Sequence, residues 1–119
     1  MEIKLFDSEL KVMEILWREG DLTAKRIAEL TKEQIGWSKT TTYTIIKKCI
    51  EKDIIKRSEP NFVCQALITR EQVQQYETLE LINKFYNGAT DKLIASIIEK
   101  KRLSKDEIEH LKQLINKLE

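Results

Sequence analysis

The stretch from Gly36 to Asp53, "GWSKTTTYTIIKKCIEKD", puts a run of hydroxyl-bearing side chains and a lysine in the first turns of a helical pattern, then an apolar stripe and more lysines. Ser38 is available to cap the free N–H groups, and Ile45, Ile46, Cys49 and Ile50 recur at the spacing of an inward-facing stripe. A helix lying in a DNA major groove turns its N-terminal residues to the base edges, where short hydroxyl side chains approach without steric penalty. Thr40, Thr41, Tyr43 and Thr44 are therefore candidate DNA contacts. Ser38 and Lys39 join them at the helix start, with Ser38 equally well explained as a cap. Lys47 and Lys48, three and four residues beyond Thr44, stay on or beside the outward face, where ammonium groups pair with phosphates and add affinity more than sequence choice. Each lysine taken alone reads as well as a solvated surface charge.

The flanking sequence supplies the rest of a small domain. "DSELKVMEILWR", from Asp7 to Arg18, spaces Leu10, Met13, Ile15, Leu16 and Trp17 as an amphipathic helix with Asp7 or Ser8 as its cap and Gly20 as its end. "LTAKRIAELTKEQ" predicts a second helix capped by Thr23, with Ala24, Ile27, Ala28 and Leu30 on one face. After Asp53 the pattern changes to two β-prone runs, "IIKRS" and "FVCQALI", around the turn "EPN". Three helices followed by a hairpin is the element order of a winged helix, with the third helix as the recognition helix and the hairpin as the wing. Lys56, Arg57 and Asn61 then join the candidate contacts, the two cations being expected on the same side as Lys47 and Lys48.

Beyond Ile68 three more helices are predicted. The first opens with Thr69 and Gln72 as a capping box and closes at Gly88, the second is "TDKLIASIIEKK", and the third opens with Ser104 and Glu107 as another capping box. Leu79, Ile82, Phe85, Leu93, Ile97, Ile108, Leu111, Leu114 and Ile115 are too many apolar residues to leave in water and too few to enclose a separate core. They either fold back on the same chain or bury themselves in a twofold homodimer, and the dimer also suits a palindromic operator read by two recognition helices. The expected organisation is mainly α: a winged-helix DNA-binding domain over residues 1–68 and a helical dimerisation domain over 69–119.

Composition narrows the function classes. The chain has 119 residues, is 41% hydrophobic and 34% charged, and has few glycines and prolines, which fits one folded domain with a helical appendage. The net charge of +1 is uninformative, but Lys39, Lys47, Lys48, Lys52, Lys56 and Arg57 outweigh Glu51 and Asp53 to make a basic patch. No run approaches the roughly 20 apolar residues of a membrane span. The start, "MEIKLFDSEL", is acidic where a signal peptide is cationic, so a cytoplasmic location is expected. Cys49 and Cys64, fifteen positions apart, read as small buried hydrophobes rather than a disulfide or metal site, and no metal or cofactor is expected. Trp17 and Trp37 read as packing residues. His110 has no catalytic neighbour in sequence, and phosphate-loop, HExxH and GxSxG motifs are absent, so an enzyme is not expected.

"FDSELKVMEILW", "GWSKTTTYTIIKKCIEKDII" and "LSKDEIEHLKQLINKL", in that order, resemble the BlaI/MecI penicillinase-repressor family of winged-helix regulators over essentially the whole chain. The pattern of a tryptophan, then Thr41, Thr44 and a basic residue four beyond Thr44 carries much of the likeness, with Lys48 standing where relatives commonly have arginine. The resemblance implies a homodimeric transcriptional repressor on palindromic operators of β-lactam-resistance genes. It also implies a partnership with a membrane-bound β-lactam sensor protease or its effector, and release by cleavage in the C-terminal region. The family's cut, at an asparagine–phenylalanine bond, would fall at Ser96 and Ile97, and this chain has neither residue there. A copper-responsive branch uses cysteine pairs near the C-terminus, and no cysteine follows Cys64 here. The alternatives are a winged helix used as a protein-interaction module and a repressor of the same family with a different inducer.

Overall fold

The computed structural model describes residues 3–100 and 103–116, with side chains described as far as residue 113. Its elements run α1 (Asp7–Glu19), β1 (Leu22–Thr23), α2 (Ala24–Ile35), α3 (Lys39–Glu51), β2 (Ile55–Ser58), β3 (Val63–Ala66), α4 (Arg70–Tyr86), α5 (Thr90–Glu99) and α6 (Lys105–Asn116). Three helices and a β2–β3 hairpin, then three more helices, is the expected mainly helical winged-helix order.

Caps set where the helices begin. Thr23 accepts the Arg26 N–H at 3.1 Å and Ser38 accepts the Thr41 N–H at 3.1 Å, both as anticipated from sequence. Helix α1 differs: its N-cap is Phe6 rather than Asp7 or Ser8, because Glu9 reaches back to accept the Phe6 N–H at 2.8 Å. Thr69 with Gln72 and Ser104 with Glu107 form reciprocal capping pairs, and Gly88 closes α4 in the left-handed region at φ +83°.

The hairpin gains a third strand. Two-residue β1 pairs antiparallel with β3 through Leu22↔Cys64 and Thr23↔Val63, giving the sheet order β1-β3-β2. Two residues carry no alternation, so β1 has no sequence signal of its own. Phe62, expected to open the second strand, lies instead in the turn that contains the cis Glu59–Pro60 peptide.

The chain divides into two compact units, Met1–Glu77 and Thr78–Glu119, and the division falls within α4. The first has a continuous core: Val12, Met13 and Leu16 of α1, Ala24 and Ile27 of α2, Ile45, Ile46 and Cys49 of α3, Ile54, Ile55 and Cys64 around the wing, then Ile68 and Val73. Each fully buried isoleucine here contributes about 1.5–3 kcal/mol relative to an exposed one. Cys49 and Cys64 are buried free thiols, pushed up to about 12 and about 11, chiefly by burial. Trp17 packs on this core and donates its Nε1–H to the Ile68 carbonyl at 2.9 Å, and Trp37 packs beside it. In the second unit α5 has no fully buried residue, although its apolar side chains are spaced as one stripe.

Candidate nucleic-acid interface

Two interleaved sets of residues divide α3 into a buried face and an outward one. Thr42, Ile45, Ile46 and Cys49 follow the pattern i, i+3, i+4, i+7 and are buried; Thr40, Tyr43, Thr44 and Lys47 follow the same pattern two residues earlier, and Thr40, Thr44 and Lys47 are exposed while Tyr43 is half-buried with one edge against the core. Two residues are about 200° of helical rotation, so the sets lie on opposite faces. Lys39, Thr40, Tyr43, Thr44 and Lys47 line one shallow hollow of about 480 Å³ on the outer face. The sequence candidates at those five positions are thus brought together.

The remaining α3 candidates have other environments. Ser38 caps the helix and donates its hydroxyl to Thr41 Oγ1 at 3.0 Å, which occupies both groups locally. Thr44 donates its hydroxyl to the Thr40 carbonyl at 2.9 Å, leaving oxygen lone pairs outward. Lys48 is exposed in the last turn, one helical turn on from Thr44. Lys39 lies over the Tyr43 ring, 5.6 Å from its centroid.

The wing is tied to α3 through an aromatic side chain that sequence reading left out of the site. Phe62 meets the Tyr43 ring edge-on, with centroids 5.9 Å apart at 84°, and carries the Arg57 guanidinium at 3.7 Å from its centroid. Arg57 Nε donates to Glu59 Oε1 at 2.6 Å, and Glu59 Oε2 accepts the Phe62 N–H at 3.3 Å. The Arg57 bond and then the Phe62 bond hold the exposed Glu59 carboxyl below the usual carboxylate range. Asn61 and Phe62 lie at φ +74° and +52°, a region that costs a bulky residue on the order of 1 kcal/mol. Lys56 and Arg57 are adjacent on β2 and so point to opposite faces of the ladder, which keeps them from both sharing the side of Lys47 and Lys48 as expected. Both are exposed, as is Asn61 at the tip.

The basic patch also loses one member. Lys52 turns inward to the buried Glu9, with Nζ 2.7 Å from Oε1, so its charge is matched inside the domain. No local pattern announces a pair separated by forty-three positions. Thr42, also passed over, shares a hydrogen bond of 2.6 Å with the buried Thr31 and so joins α3 to α2. Its position between Thr41 and Tyr43 hides that role until the helical phase is drawn.

The residues expected to mediate dimerisation divide by exposure. Leu79, Phe85 and Ile97 are exposed, and Leu93, Ile108 and Leu111 are half-buried. Ile82 is only 4% exposed in the protomer, which leaves it little area for a partner. The side chains of Leu114 and Ile115 lie outside the described residues. Ile94, Ile97, Leu103 and Leu111, with Glu107 and His110, line an apolar hollow of about 330 Å³ within the second unit. Ser96, half-buried, precedes Ile97 on α5. Among the described residues no cluster of three or more His, Cys, Asp or Glu is placed to hold a metal, and no helix is long and apolar enough to cross a membrane.

A winged helix that turns hydroxyls and lysines outward from its third helix has the form of a helix-turn-helix regulator. Comparison with known proteins specifies which kind: the chain belongs to the penicillinase repressor family, whose profile matches residues 5–117. This is a family of transcriptional repressors, not of enzymes. The chain is 32% identical over 116 residues to the methicillin resistance regulatory protein MecI of Mammaliicoccus sciuri, covering 96% of this chain and 94% of that protein. It is 24% identical over 114 residues to the penicillinase repressor of Bacillus licheniformis, covering 94% and 89%. In fold it is similar to the solution structure of the DNA-binding domain of the repressor BlaI, with a TM-score of 0.53 at 22% identity over 56% of this chain and 84% of that one.

Proposed function

We propose that the chain is a homodimeric repressor that places α3 in the major groove of each half of a palindromic operator, with the wing on the flanking backbone. The observation that carries this reading is the outward set Thr40, Tyr43, Thr44 and Lys47, gathered in one hollow opposite the buried set of the same helix. The hydroxyls read sequence, and Lys39, Lys47, Lys48 and Lys56 supply attraction to phosphates. The dimer forms through the second unit, because joining two weak half-site contacts makes the second one effectively intramolecular.

The regulated genes are those of β-lactam resistance, a reading supported by the 32% identity to a methicillin resistance regulatory protein along 96% of this chain. A membrane-bound sensor protease, or its effector, is the upstream partner, and the repressor works in the cytoplasm beside the DNA. Release follows cutting of the second unit, for which the bond between Ser96 and Ile97 is the corresponding position. Ile97 lines the apolar hollow of that unit, so a cut there divides the surface on which a dimer depends.

A salt titration tests the reading on two probes: a duplex selected from a random-sequence pool by the wild-type chain, and an unselected duplex. If these four lysines of each protomer meet phosphates, log affinity should fall with log salt at a slope of about −7 for the dimer. Lys47→Ala should weaken both duplexes alike and reduce that slope by about 2. Thr44→Ala should weaken the selected duplex by about tenfold and the unselected one far less. A salt-independent interaction would instead mark a protein-binding winged helix, and equal losses in both variants would remove the division of roles.

A further inference from the structure

We propose that Glu59 and Phe62 are positioning residues that fix the Arg57 guanidinium at the wing, and that discrimination between DNA sequences depends on this clamp. The inference rests on the reading that the winged helix binds duplex DNA.

Two contacts hold the guanidinium, and a third braces the carboxylate that receives it. Its face lies on the Phe62 ring at 3.7 Å from the centroid, its Nε–H is taken by Glu59 at 2.6 Å, and the second oxygen of Glu59 is held by the Phe62 N–H at 3.3 Å. An arginine has five N–H donors in a rigid fork, and with Nε engaged, the donors of the two terminal nitrogens remain for a duplex. A side chain already fixed in the free protein loses less entropy when it binds.

Charge separates this cation from the lysines. Glu59 neutralises Arg57 at close range, so the pair adds little to long-range attraction, whereas Lys39, Lys47, Lys48 and Lys56 have no carboxylate within ion-pair distance among the described residues. What the clamped arginine retains is direction. The clamp is also linked to the reading helix, because the same Phe62 ring meets Tyr43 of α3 edge-on. Asn61 and Phe62 both hold left-handed backbone to bring that ring between Tyr43 and Arg57, although bulky side chains rarely lie there.

A double-mutant cycle tests the clamp, reading the ratio of affinities for a duplex selected by the wild type and an unselected duplex. Glu59→Ala is expected to leave binding to the unselected duplex unchanged or tighter, weaken the selected one, and lower the ratio about threefold to tenfold. Arg57→Ala should lower the ratio to a similar extent, and in that background Glu59→Ala should change it no further. Phe62→Leu should behave as Glu59→Ala does, while Phe62→Tyr should keep the wild-type ratio. Melting temperatures report folding separately from the ratio. Multiplying effects of Arg57→Ala and Glu59→Ala, or equal tightening on both duplexes by Glu59→Ala, would overturn the clamp while leaving DNA binding intact. A wild-type chain that selects no duplex at all would overturn both.

Discussion

The two units spend similar side chains on different ends. Up to Glu77, the isoleucines, leucines and valines of three helices and a small sheet close on one another, and Met13, Ile27 and Ile46 are wholly buried. Beyond it, α5 carries an apolar stripe with no fully buried residue, and five of the seven large exposed hydrophobics of the described chain are Leu79, Leu81, Phe85, Ile97 and Ile98. The same residue types that stabilise the first unit are left facing water in the second. In the proposed dimer this is the surface that the second copy covers. Buried apolar packing is therefore concentrated in the first unit, and exposed apolar surface in the second.

The most direct way to break that contrast is to spoil the tail alone. Ile97→Asp puts a charge into the apolar hollow shared with Ile94, Leu103 and Leu111. Sedimentation should then show protomers, and affinity for a selected palindromic duplex should fall by about a hundredfold or more. The melting of the first unit should stay near that of the wild type. Unchanged mass and unchanged affinity would mean that the exposed stripe is not the assembly surface.

Alkali should act in the opposite place, since both cysteines lie in the first unit. Burial raises Cys49 from 9.0 to about 12 and Cys64 from 9.0 to about 11. Below pH 9 both folded and unfolded chains keep these protons, so the thiols contribute no pH dependence. Above it the unfolded chain releases protons that the folded chain retains, and stability falls as pH rises toward the folded values. Within that window each thiol costs about 1.4 kcal/mol per pH unit. Cys49→Ala should melt lower than the wild type at neutral pH, because a small cavity is left, yet decline less steeply from pH 9 to 11. An equally steep decline would remove burial of Cys49 as the cause.

The contrast between the units also explains how much was legible beforehand. Periodic apolar residues placed all six helices, and Thr23, Ser38, Thr69 and Ser104 marked four starts because capping is a local interaction between neighbours in sequence. The five residues that line the α3 hollow were named from their chemistry near the start of the helix, together with Ser38, Thr41 and Lys48, which do not line it. Contacts set by tertiary structure were not: Glu9 with Lys52, the pairing of β1 with β3, and the stack of Arg57 on Phe62 against Tyr43. Phe62 looked like the first residue of a strand, and only its left-handed backbone turns it into a part of the wing tip. The α1 cap was misplaced for a related reason, since a buried glutamate in the first turn competes with the usual short polar caps.

The smallest effect should come from the joint between the reading helix and its support. Thr31 and Thr42 are fully buried with their hydroxyls 2.6 Å apart, and each is also within donating distance of a carbonyl: Ala28 at 3.1 Å for Thr31 and Ser38 at 3.2 Å for Thr42. Two hydroxyl protons serve three contacts, so the pair shares one of them. Thr42→Val keeps the shape, removes one hydroxyl, and leaves Thr31 its bond to Ala28. The cost should be about 1 kcal/mol, read as a few degrees of melting temperature. Because Thr42 fixes how α3 rotates against α2, and hence where Thr40, Tyr43, Thr44 and Lys47 point, binding to a selected duplex should weaken by no more than about threefold while the dimer mass is unchanged. A loss of association without a change in melting would place assembly, not reading, under the control of the first unit, and the separation of the two units would fail.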